Sequence, residues 1–381
     1  MSSVADPNVV PKPKQKARRW APRIWMGCSL HAWWQLLWRN RCAVHWPYWH
    51  ILATDTPISV INSTLWLLQD IIHGRRLAQT PIPQAPVFII GHWRTGTTFL
   101  HELLIQDPRH NYPTTYQCMA PHHFLISEWI LPRLLWFLMP DRRPMDNVAT
   151  GWDRPQEDEF ALCMLGQPSP YLTIAFPNHP PCFEEYYDLE TLTPAALAAW
   201  KQAFLGFLQR LSYRDPRRLI LKSPPHTCRI KTLVDLFPDA RFIHIVRNPY
   251  VVYPSTVNLW KSLYRAQGFQ RPNFAGLEEQ VFTRFLHFYE RLDTGRRYVA
   301  PKRFFEIRYE DLLTDPAGHL HTMYEELELG DFETARPCVD NYLSSVADYE
   351  TNRYDLPSEL RATITNRWGA IIRRYGYEDY R

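Results

Sequence analysis

The stretch FIIGHWRTGTTFLH has glycines and hydroxyl side chains at a spacing that suits anion binding. Gly91 and Gly96 are placed as in the nucleotide-phosphate loop G-x-x-x-x-G-K-[ST], but Thr97 stands where that loop has its lysine. Arg94 supplies a cation inside the loop instead. A strand, this turn and a helix beginning at Thr97 and Thr98 would direct backbone N–H groups and the positive end of the helix dipole at an anion. The alternative is an ordinary turn followed by two capping threonines.

A second candidate anion site lies in HIVRNPYVVYPSTVNL, after another apolar run. Arg247 ends that run and Ser255 follows eight positions later, so a guanidinium and a hydroxyl can converge on one phosphate. A single arginine after a strand is more often a surface residue, and the combination with the glycine loop gives it weight. Two anion sites at neighbouring strand ends indicate a nucleotide with phosphates at both ends of its ribose.

The elements that must position these residues begin at about Pro86. The runs VFIIG, RLILKSPPH, RFIHIVRNP and RFFEIRYEDL predict four strands, each followed by a helix-compatible stretch. Strands alternating with helices predict an α/β fold, with a P-loop-like core and a mostly parallel sheet flanked by helices. Sites in such sheets lie at the carboxyl ends of the strands, where Arg94, Lys222, Arg247 and Tyr309 are expected.

The first part of the chain differs in composition. Residues 1–84 are aromatic and helix-compatible, with Thr56 predicted as a cap, Pro57 as the first helical residue and Gly74 as the stop. Tryptophans near arginines are typical of helices at a membrane surface, and a helical cap packed on the main domain is the alternative. We therefore predict a helical extension over 1–84 and a main domain over 85–381 that ends in a helical cap.

Composition excludes several classes of protein. The chain has 381 residues, 45% of them hydrophobic and 22% charged, as in ordinary globular proteins, and its net charge of +4 is too small to indicate a nucleic-acid partner. Seven cysteines without a C-x-x-C pair fit reduced thiols and a cytoplasmic location. No signal peptide or transmembrane segment is apparent, because WILPRLLWFLMP is interrupted by Pro132 and Arg133 and is shorter than about 20 apolar residues.

Four stretches in order resemble the sulfotransferases that use 3′-phosphoadenosine 5′-phosphosulfate (PAPS): FIIGHWRTGTT, LILKSPPHTCRIKTLVDLFPDARFIHIVRNP, YPSTVNLW and RYEDLLTDP. They extend from about Pro86 to Pro316, which is most of the chain. The resemblance implies in-line transfer of a sulfonate from PAPS to a hydroxyl acceptor, without a metal. It assigns the 5′-phosphosulfate to Arg94, Thr95, Gly96, Thr97 and Thr98, the 3′-phosphate to Arg247 and Ser255, and the adenine side to Tyr309.

The sequence is more similar to bacterial sulfotransferases and the tyrosylprotein-type branch than to the cytosolic animal branch. It departs from both branches. Gln117 in YPTTYQCMAP stands where the tyrosylprotein type has a glutamate base, and the K-T-H strand and the C-terminal R-K-G loop of the animal type are absent. We therefore expect TNRYDLPSELRATITNRWG to close the site in a different way.

Two cations are placed for the chemical step. Arg94 suits the bridging oxygen, where negative charge builds as the S–O bond breaks. The resemblance assigns the transferring sulfonate to Lys222, although a lysine at a strand end is otherwise more often a surface residue. Ser223 and His226, from the same strand end, are weaker candidates.

The acceptor hydroxyl needs a general base, and two regions offer one. RPQEDEFALCML has Glu157, Asp158 and Glu159, of which one is expected to point into the cleft while the others face solvent. Our order of preference is Glu157 and then Glu159, and the alternative is an acidic first turn that favours the helix dipole. His122 or His123 in APHHF is the second choice, as in the histidine base of the cytosolic branch.

Two other functions fit parts of the pattern. A P-loop kinase or NTPase would bind Mg-ATP but normally needs the missing lysine. A non-catalytic nucleotide-binding protein on a membrane would keep the cofactor residues and dispense with the base. The acceptor is a hydroxyl-bearing small molecule, lipid or carbohydrate, and the apolar stretch LISEWILPRLLWFLMP suits a lipid or an aromatic alcohol.

Overall fold

The computed structural model describes residues 23–136, 151–346 and 356–378. Its five strands are β1 (Val87–Ile90), β2 (His110–Asn111), β3 (Arg218–Lys222), β4 (Arg241–Val246) and β5 (Phe304–Arg308). They form one sheet in the order β2-β3-β1-β4-β5, and all neighbouring strands are parallel. The predicted α/β class is confirmed, and the two-residue β2 is a strand that the sequence pattern did not indicate.

Helices flank this sheet on both sides. In the described residues they are α1 (Leu30–Arg39), α2 (Trp49–Ala78), α3 (Thr97–Leu104), α4 (Thr115–Met119), α5 (Phe124–Ser127), α6 (Leu131–Leu134), α7 (Asp158–Met164), α8 (Pro194–Arg214), α9 (Ile230–Leu236), α10 (Pro249–Gln267), α11 (Leu277–Arg296), α12 (Tyr309–Thr314), α13 (Pro316–Glu326), α14 (Arg336–Ser345) and α15 (Ser358–Arg374). Short 3₁₀ turns connect several of them.

The register of the sheet brings the strand ends to one edge. Ile89 lies opposite Lys222 of β3, Ile90 lies opposite His244 of β4, and Val246 lies opposite Arg308 of β5. Adjacent strands are about 4.8 Å apart, so the segments that leave β1, β3, β4 and β5 emerge side by side. Because β3 and β4 lie on opposite sides of β1, the loop after β1 opens into the crevice at the switch point of the sheet.

Alternate strand residues supply two apolar cores. Phe88 and Ile90 of β1 belong to the larger core, which also holds Trp33 of α1, whereas Val87 and Ile89 belong to the smaller core under α3 and α13. Side chains of a strand alternate between its faces, which explains this division. Since both faces of the sheet are buried, its strands are nearly continuous apolar runs, as is usual for parallel sheets.

Helix α2 differs from its sequence prediction at both ends. It runs from Trp49 to Ala78 and contains Pro57 and Gly74 in its interior. Thr56 is not a cap, because its Oγ1 accepts a hydrogen bond of 3.0 Å from Trp33 Nε1. The predicted boundaries were wrong because packing against α1 extends the helix upstream of the proline. No helix in the described part of the chain is long and apolar enough to cross a membrane.

The C-terminal helix α15 packs on α10 and α11, as the predicted helical cap requires. Trp368 stacks on Phe285 with 3.7 Å between ring centroids and donates from Nε1 to Phe282 O at 3.1 Å. Residues 351–355 of the predicted closing segment lie outside the described residues. The boundary between 1–84 and 85–381 stays a prediction.

Candidate active site

The loop between β1 and α3 is held open by buried hydrogen bonds. Gly91, at φ +148°, donates its N–H to Thr227 Oγ1 at 2.8 Å. A Cβ at Gly91 would lie 2.7 Å from Ile245 O, so this position requires glycine. Thr95 is buried, and its Oγ1 donates to His92 O at 2.8 Å. Thr95 therefore shapes the loop from inside.

The second half of the loop turns sharply into the helix. Gly96 has φ +104°, and a Cβ there would lie 2.2 Å from Cδ2 of Tyr309. Arg94 also has a positive φ, +70°, a conformation that costs a non-glycine residue roughly 1–2 kcal/mol. Helix α3 begins at Thr97, as predicted, so the amides of its first turn, including that of Thr98, have no intrahelical acceptor.

The two predicted phosphate-binding arginines meet beside this loop. Arg94 donates from Nε to Ser255 Oγ at 2.8 Å, and Arg247 donates from Nη1 to Arg94 O at 3.2 Å. The Arg247 guanidinium also lies 4.3 Å from the ring centroid of Tyr309. Burial raises the pKa of Tyr309, and nearby Arg247 opposes that rise. Four residues predicted from three separate stretches thus form one cluster at the edge of the sheet.

Lys222 and Glu157 form an ion pair at the end of β3. Nζ of Lys222 lies 2.8 Å from Oε1 of Glu157, and their side chains are 3% and 15% exposed. Tyr171 donates its hydroxyl to Oε2 of Glu157 at 2.6 Å, and Trp93 Nε1 donates to that hydroxyl at 3.0 Å. Burial first, and then the neighbouring Glu157, raise the pKa of Tyr171 well above its usual value. A continuous hydrogen-bonded path therefore joins the ion pair to the residue before Arg94.

Asp158 and Glu159 were expected to face solvent unless they served as the base, and both are instead buried. Asp158 accepts hydrogen bonds from Ser223 Oγ at 3.0 Å and pairs with His226 Nε2 at 2.7 Å. Burial alone would raise the pKa of Asp158, but its interactions with His226 and Ser223 lower it below the usual value. Ser223 Oγ also accepts the Glu159 N–H at 3.1 Å, which fastens α7 to the end of β3.

Glu159 is held by a different cation. Its carboxylate pairs with Arg229, whose Nη2 lies 3.1 Å from Oε1, and it accepts the Ser169 hydroxyl at 2.6 Å. Arg229 is also buried, donates to Tyr186 O at 2.6 Å and lies 5.0 Å from the ring centroid of Trp200. The expected solvent-facing position is wrong because both acids find buried partners, Asp158 in His226 and Glu159 in Arg229. Among the three acids, Glu157 is the one that pairs with Lys222.

The histidines proposed as alternative bases lie in the core beside α2. His122 Nε2 bonds Met164 O at 2.8 Å, and His123 Nδ1 bonds Ser127 Oγ at 2.8 Å. Burial lowers the pKa of His122 to about 3 and that of His123 to about 4. The hydrogen bonds of both rings go to neighbouring core groups rather than to Lys222 or Glu157.

Gln117 does not replace a base at the site, because its side chain closes a capping box on α4 and donates to Glu128 at 2.9 Å.

Two residues of the site, Tyr171 and Trp93, were not predicted from the sequence. Tyr171 lies 14 residues beyond Glu157, in an apolar stretch without a motif, and Trp93 is a loop residue between the glycines. Only the fold brings these two rings to the carboxylate. Within the described ranges, no group of three or more His, Cys, Asp or Glu residues is arranged to hold a metal ion.

Comparisons with known proteins agree with this architecture. Two solved mycobacterial structures share the fold at 19% identity and a TM-score of 0.60. Sulfotransferase STF9 from Mycobacterium avium aligns over 84% of this chain and 85% of its own, and STF1 from Mycobacterium tuberculosis aligns over 89% and 91%. At this identity they inform the fold alone.

Sequence comparisons go further. The chain is 53% identical over 361 residues to the omega-hydroxy-beta-dihydromenaquinone-9 sulfotransferase Stf3 of Mycobacterium bovis and to that of Mycobacterium tuberculosis, covering 95% of this chain and 93% of each relative. Residues 86–333 match the sequence profile of the sulfotransferase family. These matches support sulfonate transfer and give no support to the kinase alternative. The chain belongs to the sulfotransferase family.

Proposed function

We propose that this sulfotransferase takes its sulfonate from PAPS and transfers it to the hydroxyl of a lipid, with Glu157 as general base. The observation that carries the proposal is the Lys222–Glu157 pair, 2.8 Å apart, which is joined through Tyr171 and Trp93 to the anion-binding loop. The lipid class is supported by the relative that is 53% identical, a sulfotransferase named for a hydroxylated menaquinone.

The residues of the loop and its neighbours fit the two anionic ends of PAPS. The amides at the start of α3 and the Arg94 side chain would hold the 5′-phosphosulfate, with Thr97 and Thr98 at the first turn. Arg247 and Ser255 would hold the 3′-phosphate, and Tyr309 would lie against the adenine side. Bound PAPS would supply an activated sulfonate with adenosine 3′,5′-bisphosphate as the leaving group.

The close approach of Gly96 to Tyr309 supports this fit. The backbone at Gly96 comes so near the aromatic ring that even a methyl group would collide with it. The guanidinium of Arg247 covers the same ring at 4.3 Å, so an aromatic ring and a cation lie together beside the loop. A ligand with a planar base and a phosphate on its ribose matches these neighbours.

Glu157 and Lys222 have complementary roles at the acceptor. Glu157 would accept the proton of the attacking hydroxyl, because its carboxylate oxygens keep free lone pairs beside the hydrogen bonds from Lys222 and Tyr171. The ammonium of Lys222 would stabilise negative charge on the sulfonate oxygens during transfer. Together with Arg94 it would act by electrostatic stabilisation, which provides a large share of the rate enhancement in many enzymes.

A cytoplasmic enzyme at the surface of a membrane is the setting that suits this proposal. All seven cysteines lie within the described residues and are free, as is typical of a reducing compartment. A lipid acceptor requires access to a membrane, and we retain the sequence expectation of peripheral contact through the Trp-rich N-terminal helices.

Calorimetric binding of adenosine 3′,5′-bisphosphate tests the donor. Metal-independent binding is expected, and Arg247→Ala should weaken it about 10- to 100-fold because a charge-assisted contact is lost. Arg297→Ala removes an exposed arginine and serves as the matched control. Preference for Mg-ATP, or equal binding by Arg247→Ala and the wild type, would contradict the donor assignment. Transfer of labelled sulfonate to a hydroxylated polyprenyl quinone, with the quinone lacking the hydroxyl as control, then tests the acceptor.

A further inference from the structure

Helix α2 has its polar side turned into the protein and its apolar side turned out. Its buried residues include Asp55, Ser59, Asn62 and Gln69, which recur at spacings of three, four and seven residues and therefore lie on one face. The opposite face is exposed and mainly apolar, with Thr64 as a polar member. We call this set the outer face: Val60, Ile61, Leu67, Leu68, Ile71 and Ile72.

The polar inner face serves specific backbone groups of its neighbours. Asn62 Nδ2 donates to Met26 O at 2.8 Å and to Cys28 O at 3.0 Å. Gln69 donates from Nε2 to His122 O at 2.6 Å and accepts the Leu125 N–H at 2.9 Å. These contacts fix the rotation of α2 about its axis, so the outer face cannot turn inward without leaving buried polar groups unsatisfied.

The outer face continues into tryptophans on both sides. In the described residues, all large apolar side chains that are exposed belong to positions 34–72 or 129–136, except Leu286, Tyr298 and Leu313. The exposed tryptophans on this surface are Trp34, Trp38, Trp46, Trp49, Trp66, Trp129 and Trp136. Trp38 is 79% exposed and Ile71 is 74% exposed, whereas a soluble monomer rarely exposes a contiguous apolar area of this kind.

Charges at this surface are unevenly divided. Five exposed arginines lie on the same elements or directly after them, and none is paired with a carboxylate among the described residues: Arg39, Arg41, Arg75, Arg76 and Arg133. The acids of these elements do not pair with these arginines. Asp55 is buried, Asp70 is exposed but lies near the half-buried Arg210 of α8, and Glu128 pairs with Arg214 at 3.4 Å.

Tryptophans and unpaired arginines around an aliphatic helix face are the composition of surfaces that lie in the headgroup region of a bilayer. A second copy of the chain would bring its own arginines against these arginines, whereas anionic headgroups are complementary to them. We propose that the outer face of α2, with the tryptophans of residues 34–49 and 129–136, docks on an anionic lipid bilayer.

The docking surface lies next to the acceptor side of the site. Trp152 donates from Nε1 to Leu135 O at 3.3 Å, which places residues 129–136 against the segment that leads to Glu157. A lipid anchored in the bilayer would thus present its hydroxyl end to the base. This inference deepens the proposed function and rests on it for the acceptor, but docking is measurable without any transfer reaction.

Flotation with vesicles tests the docking surface. The wild type should bind vesicles of phosphatidylcholine and phosphatidylglycerol. Leu67→Ser/Ile71→Ser should bind at least about 100-fold more weakly, because it loses two apolar side chains that docking would bury in the bilayer. The matched control is Leu286→Ser/Leu313→Ser, which removes exposed apolar side chains elsewhere and should bind like the wild type. Adenosine 3′,5′-bisphosphate binding should be equal in all three proteins, which verifies that they are folded.

A charge variant tests the headgroup preference. Arg75→Gln/Arg76→Gln should weaken binding to the phosphatidylglycerol vesicles roughly 10-fold and leave the weaker binding to pure phosphatidylcholine unchanged. Equal flotation of the wild type and Leu67→Ser/Ile71→Ser would overturn the docking proposal. So would a wild-type dimer that does not float and that the same variant separates into monomers, because the occupant would then be a second copy.

Transfer assays separate this inference from the proposed function. Leu67→Ser/Ile71→Ser should sulfate a short, water-soluble hydroxyl acceptor at the wild-type rate and lose at least about 10-fold on a long-chain acceptor held in vesicles. Equal loss on both acceptors would contradict a docking role. Vesicle binding by a wild type that sulfates neither acceptor would refute the proposed acceptor and leave the docking surface standing.

Discussion

The carboxyl edge of the sheet and helix α2 place their polar side chains by different rules. At the edge, three consecutive acids each have a cationic or ionisable partner of their own: Glu157 with Lys222, Asp158 with His226 and Glu159 with Arg229. In α2 the inner face has neutral amides that bond backbone groups, and the outer face is exposed, without a covering segment among the residues that the structure describes. In these two regions, whether a side chain is buried therefore depends on the partner available to it rather than on its polarity.

This difference predicts that mutations at the two regions lower the free energy of unfolding by different amounts. A buried charge without its partner costs several kcal/mol, a buried neutral polar group costs about 1–3 kcal/mol, and an exposed apolar side chain costs almost nothing on removal. The acid run of the edge should also divide into one chemical and two structural members, because only Glu157 pairs with Lys222 and keeps some exposure.

The largest effect is expected for Glu157→Gln. Removing the proposed base should lower kcat about 10²- to 10⁴-fold. The amide keeps the shape of the side chain, but the free energy of unfolding should also fall, because the buried Lys222 loses its carboxylate partner. Single-turnover sulfonate transfer measures the chemical step. If Glu157→Gln retained the wild-type rate while Glu159→Gln lost it, the assignment of the base would be reversed.

Arg229→Met should give the largest loss of stability. It leaves Glu159 buried without a cation, which costs about 3–5 kcal/mol in the free energy of unfolding. Urea denaturation measures this loss, and Arg297→Met, at an exposed position, is the control. Glu159→Gln/Arg229→Met should recover most of the stability, because no unpaired charge then remains. A double variant as unstable as Arg229→Met would show that the pair is not the cause.

These partners explain what sequence could and could not provide. Four of the five described strands and the glycine loop were predictable because their local patterns are specific: apolar runs, glycines at the loop spacing and a helix start at Thr97. The burial of Asp158 and Glu159 was not predictable, because a run of acids has the same local sequence pattern whether it faces water or buried partners. Their partners, His226 and Arg229, lie about 70 residues downstream.

Helix α2 also shows what the local sequence could not predict. Thr56 and Pro57 form a typical helix start, but contacts with α1 override it and the helix begins at Trp49. Sequence composition showed tryptophans near arginines, without showing which side of the helix they occupy. The direction of the outer face is set by the hydrogen bonds of Asn62 and Gln69 to distant backbone groups, which no local pattern reveals.

Asp55 gives a pH dependence that is characteristic of the inner face of α2. Burial raises its pKa to about 7, so the folded state holds a proton that the unfolded state has released above about pH 4. Wild-type stability should therefore fall as pH rises from about 4 to about 7. Asp55→Asn should remove this slope and gain about 2–4 kcal/mol at pH 8, with little gain at pH 4, in urea denaturation at both values. A gain that is equal at both pH values would contradict this account.

Asp158 should show the opposite slope, because interactions with His226 and Ser223 lower its pKa against the effect of burial. Its stabilising contribution is present above the ordinary pKa of an aspartate, about 4, and is lost as pH falls below that value. Asp158→Asn should cost about 1.5–3 kcal/mol at pH 7, and this difference should shrink as pH falls below the ordinary pKa of an aspartate, about 4. Asp311→Asn, at an exposed acid, is the control, and a cost that persists in acid would indicate a packing defect instead.

The smallest effect is expected on the outer face, where the comparison is sharpest. Ile71→Ser should change the free energy of unfolding by no more than about 0.5 kcal/mol, because the isoleucine is 74% exposed and contributes little to the core. Ile364→Ser, at a fully buried position of α15, should cost several times more in the same urea titration. A large loss from Ile71→Ser in the isolated protein would mean that part of the chain covers this face. Six exposed aliphatic side chains that contribute little to the described fold would instead contribute outside it, and the bilayer is the partner whose chemistry matches them.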